Sequence, residues 1–275
     1  VEGFLTGIHR SPFKGFSVEF AEHRPYVPGD EIRHIDWRAF GKTDRYYVKE
    51  YEEETNLKAY LVVDASGSMG FRGTKKAPSK FEYAQHVAAS LAYMMLHQMD
   101  AVGLVTLDTK ARSIIPPKAS PKHLLQVLTT LENTQPGGET AMAPLWHELA
   151  GHLFKRRGLL IILSDFFDNL DDLIRALQHL RYRNHEIMLF QILAPEELDF
   201  PYKRLTQFRH LESAGQKILV DTRRLRDDYL KNFTEFREQL RERAGKLQVD
   251  YQLLRTDEPV DRALGAFLAR RQRTL

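Results

Sequence analysis

The stretch LKAYLVVDASGS, residues 57–68, decides the fold of this chain. Residues 57–63 are mostly apolar and rich in β-branched side chains, which is typical of a buried β-strand. A carboxylate, two hydroxyls and a glycine follow at once, as Asp64, Ser66, Ser68 and Gly67. A buried strand that runs directly into turn-forming polar residues is typical of a parallel sheet whose binding site lies at the carboxyl ends of the strands.

Downstream of this strand, short apolar runs alternate with longer segments of helical periodicity. Further strands are predicted over 101–107, 159–163, 186–193 and 247–254, and helices over 80–98, 121–131, 143–155, 170–181, 223–244 and 261–271. Residues 111–115 predict an edge strand that ends at Pro116-Pro117, and residues 208–211 and 217–220 flank a turn. This alternation predicts an α/β domain over residues 56–275, with a central, mostly parallel sheet flanked by helices.

The first 55 residues differ from the rest in composition and periodicity. They mix glycine, proline, aromatic and charged residues, without a long helical or strand period. Their many large apolar side chains predict an ordered, extended N-terminal arm, residues 1–55, packed on the following domain. The arm also carries an arginine series, Arg24, Arg33, Arg38 and Arg45, interspersed with acidic residues. We expect these arginines to form internal ion pairs, although they could instead clamp an acidic partner.

Composition excludes several classes of protein. The 275 residues contain no cysteine, so disulfides, zinc–thiolate sites and cysteine nucleophiles are impossible within this chain. The 40 basic and 37 acidic residues give a net charge of +3, which lacks the concentrated basic excess of a nucleic-acid-binding protein. No apolar run approaches the roughly 20 residues that cross a bilayer. We therefore expect no nucleic-acid partner and no membrane span in this chain, and a cytoplasmic location.

Oxygen-bearing side chains cluster at three predicted loops at one edge of the sheet. Asp64, Ser66 and Ser68 follow the first strand, Thr140 lies in a glycine-rich loop, and Asp165 follows the strand 159–163. Hydroxyl and carboxylate oxygens suit a hard cation, Mg²⁺ or another such as Mn²⁺ or Ca²⁺. The two serines could face one ion, and the carboxylates could act partly through water. One coordination position would stay open, and the carboxylate of a partner protein would fill it.

The Asp-x-Ser-x-Ser motif with a distal threonine and aspartate resembles the metal-ion-dependent adhesion site (MIDAS) of von Willebrand factor A (vWA) domains. The preceding segment resembles the part of the chain that defines the DUF58 family, in residues 11–15, 20–22, 24–26, 29–30, 33 and 35–37. The resemblance implies a Rossmann-like vWA domain that uses a bound divalent metal to hold another protein. It further implies an adaptor or co-chaperone of a MoxR-type AAA ATPase, without catalytic activity.

Three other interpretations of these residues compete with this one. The serines and aspartates could merely cap helices and close turns. Alternatively, Asp64 could be the nucleophile of a metal-dependent, phosphatase-like hydrolase. Such an enzyme would need a second carboxylate at position 66, where this chain has serine, and no lysine for the phosphate is identifiable from the sequence. The domain could also be a structural scaffold with an unused metal site.

Overall fold

The structure is a computed structural model. It describes residues 17–27, 30, 35–54, 58–73, 77–138, 154, 157–202, 205–209, 211 and 217–265. His9–Leu57 form one compact unit, and Lys58–Leu275 belong to a second.

The first unit contains two strands and a short helix, which the sequence analysis did not predict individually. Strand β1 (Ser17–Pro25) pairs antiparallel with β2 (Tyr47–Glu54), and helix α1 (Trp37–Thr43) lies between them in the chain. The helix begins at Asp36, whose carboxylate accepts the backbone N–H groups of Arg38 and Ala39. It is too short to show helical periodicity. The register of β1 also shifts near Phe20, which interrupts the two-residue alternation that predicts strands.

One predicted ion pair of this segment is confirmed. The Arg24 guanidinium donates to a carboxylate oxygen of Asp30 over 2.9 Å, and the second oxygen accepts the backbone N–H of Val27. Hydrogen bonds from Arg24 and Val27 hold the pKa of Asp30 below its ordinary value. Arg24 therefore stabilises a local turn, as the internal-pairing interpretation of the arginine series predicts.

The second unit is an α/β domain. Its strands are β3 (Lys58–Asp64), β4 (Ala101–Leu107), β5 (Ala111–Lys118), β6 (Leu159–Ser164), β7 (Glu186–Leu193), β8 (Leu205–Arg209), β9 (Lys217–Asp221) and β10 (Asp250–Arg255). Its helices are α2 (Lys80–His97), α3 (Pro121–Asn133), α4 (Leu170–Tyr182), α5 (Pro195–Asp199) and α6 (Thr222–Lys246). Six strands form one sheet in the order β10-β7-β6-β3-β4-β5, while β8 and β9 form a separate antiparallel pair.

All neighbouring strands of the central sheet run parallel except β4 and β5, which are antiparallel. On one face, Val62, Leu160 and Ile162 pack with buried residues of α4 and α6. Helix α2 contacts β3 and β4 and buries its own apolar stripe, which includes Phe81, Val87 and Leu91. The predicted fold class, an α/β fold with a mostly parallel sheet flanked by helices, is confirmed.

Several predicted boundaries need correction. Strand β5 continues through Pro116-Pro117 to Lys118, because an edge strand tolerates residues that lack an N–H donor. β8 begins at Leu205 and β10 at Asp250, so residues 247–249 complete the end of α6 instead of opening a strand. The predicted helix over 143–155 lies almost wholly outside the described residues. Within the described part of the chain, no helix combines the length and apolarity that crossing a membrane demands.

Candidate metal centre

Four neighbouring strands of the central sheet end at the same edge, and an acidic residue lies at or shortly after the end of each strand. β3 ends at Asp64, Asp108 and Asp165 follow β4 and β6, and β7 leads into α5, which holds Glu197. β4 pairs with one side of β3, while β6 pairs with the other. The topological switch point, where open α/β sheets bind ligands, therefore lies between β3 and β6.

Asp64 is fully buried and both of its carboxylate oxygens are hydrogen-bonded. Oδ1 accepts the backbone N–H of Ser66 over 2.8 Å, and Oδ2 accepts the hydroxyl of Ser164 over 2.6 Å. Burial and, after it, the negative charge of Asp165 raise the pKa of Asp64 to about 6. The carboxylate thus fixes the start of the serine loop while carrying a charge that the surrounding protein alone compensates poorly.

The hydroxyls of Ser66 and Ser68 lie side by side. Their oxygen atoms are 3.1 Å apart and hydrogen-bond to each other. The short 3-10 helix Gly67–Gly70 starts between them and sets this spacing. Two neighbouring ligands of an octahedral Mg²⁺ ion, with Mg–O distances of 2.0–2.1 Å, are also about 3 Å apart. The residues present therefore fit a magnesium ion, since the two hydroxyls already have the separation of one octahedral edge.

Asp165 is held in place from its backbone and from its side chain. Its Oδ1 accepts the backbone N–H of Phe167 over 3.2 Å, and its carbonyl oxygen accepts the side-chain amide of Gln191 over 2.8 Å. Its Oδ2 accepts the ammonium of Lys80 over 2.7 Å. Asp165 is fully buried, so Lys80 is the cation that compensates its charge in this structure.

Lys80 is the first residue of α2, directly after the N-cap Ser79, and its side chain is buried. Besides Asp165, the ammonium donates to Glu197 of α5 over 2.7 Å. Burial alone would lower the pKa of Lys80, but the charges of Asp165 and Glu197 outweigh it and raise that pKa above its ordinary value. The ammonium therefore remains charged and bridges the ends of two neighbouring strands.

A glycine-rich segment is fastened onto the serine loop. The backbone N–H of Gly67 donates to the carbonyl of Gly138, and the N–H of Gly137 donates to the carbonyl of Ala65, both over 2.9 Å. Gly138 has a φ of +86°, and a Cβ there would meet the Asp108 carboxylate at 3.0 Å. Glycine is therefore required at this position. The segment leads toward Thr140, which lies outside the described residues.

Arg112 holds the other side of this segment. Its guanidinium donates to the Asp108 carboxylate and to the carbonyl oxygens of Gln135 and Gly137. Burial alone would raise the pKa of Asp108, but hydrogen bonds from Arg112 and from the backbone hold it below its ordinary value. Asp108 and Arg112 thus form a charged support that fixes the backbone beside Ser66.

Of the five predicted site residues, the structure joins Asp64, Ser66 and Ser68 by direct hydrogen bonds and places Asp165 at the adjoining strand end. Sequence reasoning missed Lys80, Glu197 and Ser164. The rule that polar residues follow strand ends would have found Glu197, had it been applied after β7. In the part of the chain that the structure describes, no group of three or more histidine and acidic residues could hold a metal.

A family model described as "Protein of unknown function DUF58" matches residues 22–239, which is most of the chain. The chain belongs to the DUF58 family. The resemblance of the N-terminal motifs to the DUF58 family is thus confirmed.

This DUF58 protein is similar to two mycobacterial proteins. It is 26% identical over 234 residues to uncharacterized protein Rv1480 of Mycobacterium tuberculosis and to uncharacterized protein Mb1516 of Mycobacterium bovis. Each alignment covers 83% of this chain and 72% of the relative. These matches place relatives of the chain in mycobacteria and show no activity.

Solved structures that match with TM-scores above 0.5 share its fold at low identity. An aerotolerance-related membrane protein from Bacteroides fragilis, solved with multiple mutations to serines, matches with a TM-score of 0.54 and 16% identity, over 80% of this chain and all of that one. BatB from Bacteroides thetaiotaomicron matches with a TM-score of 0.51 and 14% identity over the same shares. The SpRpn10 VWA domain matches with a TM-score of 0.44 and 11% identity, over 76% of this chain and 94% of that one.

Proposed function

We propose that this DUF58 protein is a divalent-metal-dependent protein-interaction module, which acts as an adaptor or co-chaperone of a MoxR-type AAA ATPase. The observation that carries the metal site is the pair of hydroxyls, Ser66 and Ser68, held 3.1 Å apart beside the buried carboxylate of Asp64. The resemblance of the motif to a MIDAS supports the interaction role, and the DUF58 family match is the reason for naming the ATPase class.

In this proposal, Ser66 and Ser68 would hold Mg²⁺, or another hard cation such as Mn²⁺ or Ca²⁺, and Thr140 would be a third hydroxyl ligand. Asp64 and Asp165 would supply negative charge around the ion. A bound metal would offer an open, electrophilic position to a carboxylate of the partner. Asp64 has a second task, since its hydrogen bonds to Ser66 and Ser164 hold the serine loop in position.

The geometry favours binding over hydrolysis. A nucleophilic Asp64 would need an oxygen free to attack, but this side chain is fully buried and both oxygens accept hydrogen bonds. The structure places Lys80 near the strand ends, which the sequence alone did not indicate. Its side chain is only 1% exposed, however, and its ammonium already bridges two carboxylates. Neither group is available to a phosphoester, so the phosphatase-like alternative gains no support from the site.

A binding experiment with a purified MoxR-type ATPase from the same organism tests the proposal. The ATPase is immobilised, and binding of the DUF58 chain is measured in Mg²⁺ and again in excess EDTA. We expect binding in Mg²⁺ that EDTA abolishes and that the double variant Ser66→Ala/Ser68→Ala lacks. Ser90→Ala is the control, because the hydroxyl of Ser90 donates within α2 to the carbonyl of His86.

The outcomes separate the competing functions. Binding that neither EDTA nor the double serine variant changes would contradict metal dependence and favour a scaffold with an unused site. An absence of binding in Mg²⁺ would contradict the ATPase partnership. Magnesium-dependent turnover of a phosphoester, lost in Asp64→Asn, would replace the interaction role by hydrolysis.

A further inference from the structure

The candidate metal centre already contains a positive charge of its own. The ammonium of Lys80 lies 2.7 Å from Oδ2 of Asp165, in the fully buried part of the site. Asp165 is one of the two carboxylates that would supply charge to a bound metal. A lysine and a divalent cation would thus depend on the same carboxylate.

The position of Lys80 in the fold is unfavourable for a cation on two grounds. Its side chain is 1% exposed, so the ammonium has lost its hydration. It is also the first residue of α2, where the positive end of the helix dipole repels a cation. Asp165 and Glu197 are the two charges that make this location tolerable.

Glu197 is arranged to keep the ammonium when Asp165 is engaged elsewhere. Its Oε1 accepts from Lys80, and its Oε2 accepts the backbone N–H of Ala194 at the start of α5 over 2.8 Å. The phenol of Tyr229 on α6 donates to the carbonyl of Glu197 over 3.0 Å. The N-cap of α5 therefore fixes the carboxylate of Glu197, and Tyr229 of α6 fixes its backbone, so Glu197 holds Lys80 independently of β6.

We propose that Lys80 is a resident counter-ion that competes with the divalent cation for Asp165 and so sets the metal affinity of the site. This inference rests on the proposed function, since it assumes that a metal binds at Ser66 and Ser68. Without metal, Lys80 neutralises Asp165 and keeps the strand end in place. With metal, Asp165 turns its charge to the ion, and Glu197 retains the ammonium.

The proposal predicts opposite effects for two neutralising variants. Lys80→Met removes the competing charge with little loss of volume, so Mg²⁺ should bind at least about tenfold more tightly. Glu197→Gln removes one of the two negative charges that hold Lys80, so the ammonium then depends on Asp165 alone. Mg²⁺ should therefore bind about tenfold more weakly or below detection. If Lys80 and Glu197 only packed in the core, the two substitutions would not change the Mg²⁺ affinity in opposite directions.

Calorimetric titration of the full chain with MgCl₂ is the test, in the wild type, Lys80→Met, Glu197→Gln and the control Arg72→Met. Arg72 also lies next to the start of α2 and pairs with Glu82, but it is 43% exposed. Arg72→Met also removes one positive charge, but at a place where water screens it. The Mg²⁺ affinity of this variant should therefore stay within about twofold of the wild-type value. Circular dichroism confirms that each variant is folded.

The results distinguish failure of this inference from failure of the proposed function. No binding by any protein, Lys80→Met included, would overturn the metal site itself. Wild-type binding that Lys80→Met leaves equal or weaker would overturn the counter-ion role alone, while binding seen only in Lys80→Met would support it. If Lys80→Met does not fold, Glu197→Gln decides, because unchanged or tighter binding there contradicts the proposal.

Discussion

Replacing Lys80 by methionine should lower the free energy of unfolding by about 3–5 kcal/mol when no divalent metal is present, as is typical when one partner of a buried ion pair is removed. We expect the upper part of that range, because the substitution leaves two carboxylates without their cation: Asp165, which is fully buried, and Glu197, whose side chain is 14% exposed. Methionine keeps most of the volume of lysine, so the loss is electrostatic and not a cavity.

Denaturant unfolding in EDTA measures this effect, with Arg72→Met as the matched control. The exposed Arg72–Glu82 pair should contribute at most about 1 kcal/mol. Adding Asp165→Asn to Lys80→Met should recover at least about 1 kcal/mol, because the more deeply buried of the two uncompensated charges is then gone. A Lys80→Met variant no less stable than Arg72→Met, or a double variant that loses the sum of both single effects, would refute this account of the ion pair.

Four further predictions concern the loops, the sheet and helix α6. Arg112→Ala, which frees the segment beside Gly137, should cost about 1–3 kcal/mol in thermal or denaturant unfolding. Burial raises the pKa of Asp64 from 3.8 to about 6. The folded chain therefore keeps a proton that the unfolded chain loses, and stability in EDTA should fall by about 3 kcal/mol between about pH 4 and pH 6. Asp64→Asn should flatten that part of the profile. Gly158→Ala should destabilise by about 2 kcal/mol or more, because its Cβ would lie 2.4 Å from the Lys58 carbonyl. Gly245→Ala has open space in α6 and should stabilise by about 0.5–1 kcal/mol.

The central sheet was predictable because its strands carry strong local signals. β3 and β6 are buried on both faces and read as continuous apolar runs, and α2 begins with the capping pair Ser79 and Glu82. The elements of the first unit lack such signals. Helix α1 is only 7 residues long, and β2 ends in three consecutive glutamates, which have low strand propensity.

The sequence predicted those residues of the candidate site that directly follow a strand. Asp64, Ser66 and Ser68 are contiguous with β3, so their proximity needs no tertiary information. The ion pair of Lys80 with Asp165 joins residues 85 positions apart, and that with Glu197 joins residues 117 apart. No periodicity or short motif carries such pairings. Lysine at the first position of a helix that packs on the sheet was nevertheless a usable signal, since the helix dipole disfavours it.

Electron paramagnetic resonance with Mn²⁺ in place of Mg²⁺ shows whether Ser66 and Ser68 hold a metal ion, because it counts free and bound ions without a partner protein. We expect one bound Mn²⁺ per chain in the wild type and in Ser90→Ala. We expect none at the same concentrations in Ser66→Ala/Ser68→Ala, whose hydroxyl pair is lost. Equal Mn²⁺ binding by the wild type and the double serine variant would show that these hydroxyls hold no metal.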